Sequence, residues 1–541
     1  KTAAVVAPAA VVAPQPGAKS DATPPTQAED AAKQKSGKQA RTAAPAKPVD
    51  APHSMKTEPA TATAARPQIV APPSKRERIV LIGNGLAERD VYYHRIETEL
   101  ALRYPEHDLF FRNLGHVGDT PGFRPHPSRA SQWAFPGAEK FNPGLNVHKG
   151  EGFFPTPDQW LTHLKADTLF AFFGYNESFD GPTKVANFEA ELSAWVQHTL
   201  SKAYNGSAAP RIVLVSPIAF ENQSAKRDLP NGEKENAHLA LYAAAIASVA
   251  KKHGLTFIDL FTPTQALYRT AKEPLTTGGF IPNDEGYQHV AKLLATGAFG
   301  EQARTSKADP ALVHGAVKQK DYHWNNDYHL VNGVHAYGRR YGPYGPQNYP
   351  DEVKKTREMT ALRDRVIHEV ARAKKTDLVV DDSQTHVLPP VPTNFAPSIK
   401  NGTTSYLPAD EGVAALTVPA GYKVELFASE KEFPNLANPM QLSFDNRGRL
   451  WVAVMPAYPA YRPGDALPND KILIYEDTDG DGKAVGRVGV VEEDSVAEAV
   501  RAVKTCLVEA VAVVGRPIVV REAEAEAGEA DQGLVDAHRA N

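Results

Sequence analysis

Residues 78 to 90 read Arg78-Ile-Val-Leu-Ile-Gly-Asn-Gly-Leu-Ala-Glu-Arg-Asp90. The four apolar residues from Ile79 to Ile82 have the run length of a buried strand. They pass into a turn, Gly83-Asn84-Gly85, and a helical pattern follows from Leu86. A strand that ends in a tight loop and opens a helix is where open α/β sheets hold their ligands, outside the strands' carboxyl ends. Working outward, strand-like runs recur at Leu109–Arg112, Thr168–Phe173, Ile212–Ser216 and Thr256–Asp259. Helical patterns lie between or after them at Glu88–Tyr104, Val185–Leu200, Glu233–His253 and Asp284–Leu294, the last with Asn283 or Asp284 as its N-cap. The alternation predicts βαβ units with right-handed crossovers, hence a three-layer, doubly wound α/β domain with a parallel sheet over residues 76–300. The stretch from Thr120 to Thr156, rich in Pro, Gly, Phe and His, reads as a long insertion over the carboxyl edge, a lid.

The chain has 541 residues, enough for two to four domains, and with a net charge of −4 nothing global argues for nucleic acid or an anionic membrane surface as partner, so no nucleic acid is expected. A single cysteine, Cys506, excludes an intramolecular disulfide, a zinc ribbon and a c-type haem attachment. No apolar run is long enough for a transmembrane helix. The chain starts at Lys1, and Ala3 to Ala13 makes a poor signal-peptide core, so a processed or incomplete N-terminus is expected. Residues 1–75 contain no Phe, Trp, Tyr or Leu and read as a disordered Ala/Pro-rich tether.

Beyond residue 300 the texture changes three times. Residues 301–410 are read as an aromatic- and His-rich strap, a helix from Asp351 to Lys374, and a Pro-rich linker. His323, His329 and His335 recur every six residues, which is not a helical metal-ligand spacing, and packing is the default reading. From 411 to 484, alternating apolar residues broken by Asp445-Asn-Arg-Gly448 read as antiparallel hairpins. Asp477, Asp479 and Asp481, followed by Gly482, match the front half of a calcium loop. The twelfth position is Val488, so a full EF-hand is excluded and a bare acidic turn is the alternative to a calcium-stabilised one. The tail from 485 to 541 has no aromatic residue and reads as a break from the preceding pattern, as a change of reading frame would produce, with a helix around Ser495 to Val514.

Four blocks resemble the SGNH, or GDSL-type, hydrolase family: Gly83-Asn-Gly-Leu86, the stretch from Asn113 to Thr120, Gly174-Tyr-Asn-Glu177, and Leu275 to Tyr287. Residues 411–484 look like the first blade of a glucose/sorbosone-dehydrogenase-like β-propeller. The combination is similar to planctomycete multidomain proteins labelled membrane-bound dehydrogenase or haem-binding. The resemblance implies an esterase fold, a carbohydrate ester as substrate, and a periplasmic, cell-envelope or secreted location. It also implies a serine nucleophile, an Asp/His pair, and an oxyanion hole built from a glycine amide and an asparagine side chain.

Carried over residue by residue, the oxyanion positions fall on Gly118 and Asn176, and the nucleophile position falls on Gly85, which has no side chain. The family's Asp and His positions fall on Thr277 and Gly278, then Phe280 and Ile281, so the triad reads as lost. His116, two residues from Gly118, is the candidate substitute, with a loop-anchoring role as the alternative. Asp119 is expected to bond its own loop, and Glu88 and Asp90 to sit near a helix N-terminus. Three functions stay open: a weak or inactive esterase, a binding module for a small molecule or glycan, and a fragment of a redox protein. No cofactor is expected in this chain apart from calcium at the acidic turn.

Overall fold

The computed structural model describes residues 57–126, 128–145, 152–330, 333–338, 341–342, 345–389, 407–436, 438–455, 462–466, 469–484 and 487–491. Five parallel strands, β1 (Arg78–Gly83), β2 (Phe110–Gly115), β3 (Thr168–Phe172), β4 (Arg211–Val215) and β5 (Thr256–Ile258), form one sheet in the order β2-β1-β3-β4-β5. Because side chains alternate along a strand, each strand serves two cores. Ile79 and Leu81 meet α1 (Arg95–Arg103) and α6 (Asp284–Phe299) on one side. Val80 and Ile82 meet α2 (Pro157–Leu164), α3 (Val185–Leu200) and α4 (Glu233–His253) on the other. Burial on both faces is why these strands are apolar runs rather than alternating ones. The expected three-layer α/β domain is the observed one.

Several details differ from the sequence expectation. The helix expected over Glu88–Tyr104 is divided. A short turn, Gly85–Glu88, and a 3-10 turn, Arg89–Tyr92, precede a break at His94, where φ is 57°. Asp90 then caps α1 by accepting the backbone N–H groups of Arg95 and Ile96. Helices α2 and α5 (Phe261–Thr270) have no counterpart in the expected pattern. The start of α2 carries its own signal, because Thr156 and Gln159 form a capping box with Pro157 at the first turn.

The assignment of 1–75 to a disordered tether does not hold from residue 57 onward. Ala60–Thr61 pairs antiparallel with Lys202–Ala203, Arg66 meets Asp167 at 2.6 Å, and Gln68 donates to the Pro210 carbonyl at 3.0 Å. Hydrogen bonding secures this segment where apolar content could not. Residues 1–56 lie outside the described residues.

The strap expected after residue 300 is a helix, α7 (Pro310–Tyr328), paired with α8 (Gly345–Ala371). Val313 and Val317 of α7 share a core with Val366, Ile367 and Val370 of α8 and Leu102 of α1. Residues four apart share a helix face. Trp324 and Tyr328 use theirs to donate to the carbonyls of Asn113 and Leu114 at 2.8 and 3.1 Å. Helix α7 thus covers edge strand β2, whose unpaired carbonyls would otherwise invite another strand.

A second sheet, antiparallel and four-stranded, consists of β6 (Pro439–Phe444), β7 (Leu450–Val454), β8 (Lys471–Tyr475) and β9 (Arg487–Val491) in sequential order. Val452, Val454, Leu473 and Tyr475 form its buried face. The first hairpin is closed by Asp445, which accepts from the backbone N–H groups of Arg447 and Arg449 and from Trp451 Nε1. Strand β9 continues this sheet past Val485, contrary to the expected break there. The helix expected at Ser495–Val514 lies outside the described residues.

Candidate active-site crevice

The four blocks come together at the carboxyl ends of β1, β2 and β3. Gly83, the last residue of β1, has φ 111°, and a Cβ there would lie 2.1 Å from the Phe172 carbonyl oxygen, so only glycine fits. Asn84 then caps the turn by accepting from the Leu86 N–H at 3.1 Å. Asn113 ties the second block to the first, donating to the Ala87 carbonyl at 2.6 Å while its own oxygen accepts from the Gly115 N–H at 2.8 Å. In the third block Glu177 Oε2 accepts from the Gly174 N–H at 2.7 Å. The fourth block docks through Tyr287, whose hydroxyl donates to the Leu86 carbonyl at 2.9 Å. Glu221 holds its start by accepting from the backbone N–H groups of Leu275 and Thr276.

Gly85 sits at the centre of this assembly. A Cβ built on it would have Val117 Cγ1 at 3.4 Å and Ile281 Cδ1 at 3.7 Å, ordinary van der Waals contacts. Position 281 therefore faces position 85, as a base must face a nucleophile. Here the pair is isoleucine and glycine. Thr277 bonds the Tyr93 hydroxyl, which stacks on Tyr287 with centroids 5.0 Å apart.

Asn176 and Gly118 lie together, as their blocks imply, but their donors are spent within the protein. Both hydrogens of the Asn176 amide go to backbone carbonyls, Val117 and Asp119, each at 2.9 Å. The Gly118 N–H points to His116 Nδ1 at 3.4 Å. An oxyanion hole requires donors aimed at the position of the developing charge, and in this arrangement they close the loop instead.

His116 anchors that loop. Its ring stacks on His329 with centroids 5.8 Å apart, and its Nδ1 lies 3.9 Å from Asp119. Burial lowers its pKa, as it does for His329, to about 4, and for His126, to about 3, so all three imidazoles are neutral near pH 7. Among the described residues no hydrogen bond joins the Asp119 carboxylate to its own loop's backbone, where one was expected. Its carboxylate faces Arg124 at 3.6 Å, and burial pushes its pKa up to about 7. His323 lies on α7 edge-on to Tyr322, and the side chain of His335 lies outside the described residues.

The rim of the crevice is aromatic. Tyr175 stacks on Phe280 with centroids 5.6 Å apart and meets Phe179 edge-on. Phe179 is 73% exposed and Val117 44% exposed. No spacing rule in the sequence pairs Tyr175 with Phe280, about a hundred residues apart, or Val117 with Gly85; only the assembled loops do.

At the acidic turn, Asp477, Asp479 and Asp481 each bring an oxygen within 4.8 Å of the others. Both oxygens of Asp477 already accept backbone N–H groups, from Gly480 and Gly482, which lowers its pKa. Calcium takes six to eight oxygens, and these three residues supply only part of such a shell.

Residues 82–289 match a family model described as the GDSL-like Lipase/Acylhydrolase family, and residues 408–526 match one described as a domain of unknown function, DUF7133. The second match runs on past Val485. No curated protein matches the chain. Among solved structures, a gut microbial diltiazem-metabolizing enzyme is 18% identical over 43% of this chain and 48% of its own, with a TM-score of 0.31. The acetylxylan esterase of Geobacillus stearothermophilus is 16% identical over 43% of this chain and 98% of its own, with a TM-score of 0.30. An alpha/beta hydrolase from the metagenome of Lake Arreo, Spain, is 16% identical over 42% of this chain and 96% of its own, with a TM-score of 0.29. The chain thus spans about half of the first of these proteins. No described helix is long and apolar enough to cross a membrane. Over residues 82–289 the chain is similar to the GDSL-like Lipase/Acylhydrolase family.

Proposed function

We propose that this domain binds a small acylated or sugar ligand in the crevice above Gly85 without hydrolysing it. The observation that carries the reading is the contact set of Gly85. The position facing it is Ile281 and the wall beside it is Val117, so nucleophile and base are replaced by hydrocarbon. The internal bonds of Asn176 and Gly118 support the same conclusion. The aromatic rim of Tyr175, Phe179 and Phe280 offers ring faces of the kind that pack on sugar C–H groups or acyl chains. A carbohydrate ester is the ligand class we favour, following the block resemblance. We place the protein at the cell envelope, following the same resemblance. We read the antiparallel sheet as the opening of a propeller-type domain. A redox activity would need further blades and a cofactor.

The test uses the full chain with p-nitrophenyl acetate and acetylated xylan. The expected wild-type result is release no faster than in buffer, with binding of acetylated xylo-oligosaccharide that Phe280→Ala abolishes. Gly85→Ser combined with Ile281→His and Thr277→Asp is expected to gain hydrolysis. Wild-type turnover that disappears in Asn176→Ala would sink the proposal.

A further inference from the structure

The amino-terminal ends of the strands hold a second feature, unrelated to the crevice. Arg78 opens β1, Arg112 lies in the adjacent β2, and Arg357 reaches in from α8. With Phe110, His163, Trp324 and one carboxylate, Asp327, they line a cavity of about 190 Å³. Arginines this close together are expected to carry carboxylate partners, and most here do. Arg112 bonds Asp364 through two nitrogens at 2.9 and 2.6 Å, and Arg357 bonds Asp327 through two at 2.7 and 3.1 Å. Asp167 is held by Arg66 at 2.6 Å.

Arg78 is the exception. Its backbone N–H donates to Asp167 at 3.0 Å. Among the described residues its guanidinium meets only the ring of Phe110, 4.5 Å from the centroid. Among the described residues, Asp167, Asp327 and Asp364 are each bonded by the side chain of an arginine other than Arg78, and Asp167 and Asp364 act on the Arg78 guanidinium only through space. Burial and the neighbouring Arg112 push the Arg78 pKa down. A surplus cation, half-buried and pre-oriented on an aromatic face, is costly unless something anionic meets it.

We propose that this cavity binds a small tetrahedral oxyanion, phosphate or sulfate, free or as the end group of a small ligand, with Arg78 as its principal contact. The guanidinium fork matches two oxygens of such an anion. Arg112 and Arg357 reach the walls already paired with Asp364 and Asp327, so Arg78 supplies the uncompensated charge, and the space admits several water molecules' worth of ligand. Strand β1 runs from this cavity at Arg78 to the crevice at Gly83, five residues at about 3.3 Å each, or roughly 16 Å. The two sites are therefore separate, and this one does not depend on what the crevice does.

The experiment titrates the full chain with inorganic phosphate and with sulfate, each at ionic strength held constant with chloride, read by calorimetry and by 31P line broadening. Saturable one-to-one binding is expected. Arg78→Gln should weaken it at least tenfold, and Arg78→Lys by less, while Arg304→Gln, on the remote Glu99 pair, should leave it unchanged. Folding of each variant is checked by circular dichroism. Glycerol 3-phosphate binding more tightly than phosphate supports an end-group ligand; phosphate binding as tightly supports the free ion. Absence of wild-type binding, equal binding by folded Arg78→Gln, or displacement by chloride at matched ionic strength overturns the proposal.

Discussion

Lys320→Met is the most searching test of how the α7–α8 pair joins the hydrolase-like domain. Lys320 is 0% exposed, and its Nζ lies 2.5 Å from Asp321 Oδ1 and 2.5 Å from Glu97 Oε2, the latter off the hydrogen-bond direction. Asp321 also meets His94 at 2.8 Å. One ammonium thus serves two buried carboxylates, one on α1 and one on α7. Burial drives the pKa of Glu97 up, while Lys320 and His94 hold that of Asp321 down. Methionine fills the same space and removes the cation, leaving Asp321 and Glu97 buried without it. Removing one partner of a buried pair costs about 3–5 kcal/mol. At about 2–4 °C per kcal/mol for a domain of this size, the melting temperature should fall by about 6–20 °C. Glu97→Gln added to Lys320→Met should restore much of the loss, because Asp321 keeps its His94 partner. Thermal melts followed by circular dichroism at pH 7 read the effect. A single mutant melting within about 2 °C of wild type would refute the reasoning.

Three other outcomes follow from particular contacts. Folding raises the carboxyl pKa of Asp90, Asp119 and Glu191 to about 7 and of Glu177 to about 8, so each holds a proton that the unfolded chain has lost. Their stabilisation is present at low pH and is lost as pH rises through those values. The buried His126, His323 and His329 act in the opposite sense, but only below their unfolded value near 6.5. Stability should therefore decline from pH 6.5 to 8.5 in a melting series, and Glu177→Gln should flatten the decline. Gly83→Ala should abolish soluble folded protein because its Cβ has no space, whereas Gly85→Ser should fold normally and, without a base opposite, remain inert toward p-nitrophenyl acetate. Asn176→Ala should cost about 1 kcal/mol in urea unfolding, the loss of loop hydrogen bonds rather than of catalysis.

What is local in origin was legible in the sequence. The apolar runs of β1, β3 and β4 and the periodicity of α3 and α4 were enough to place those elements, with α3 and α4 at their observed ends. The blocks at Gly83, Gly118, Asn176 and Asn283 located the crevice, because tight turns and caps impose residue types at fixed spacing. Helix α7 was not legible: its aromatic and charged residues face a strand edge and a buried ion network, so apolar periodicity is weak there. Residues 57–75 were misread for a related reason. They are held by backbone pairing, Arg66 and Gln68 rather than by apolar burial.

The sequence by itself determined the parallel α/β architecture, which is written in residue type and spacing, and put a glycine at position 85. Tertiary structure alone decided that Ile281 faces Gly85, that Asn176 spends its donors on the neighbouring loop, and that among the described residues no carboxylate bonds the Arg78 guanidinium. Each of these depends on which atoms from distant segments come within a few ångströms. That proximity follows from how loops and helices close over the sheet.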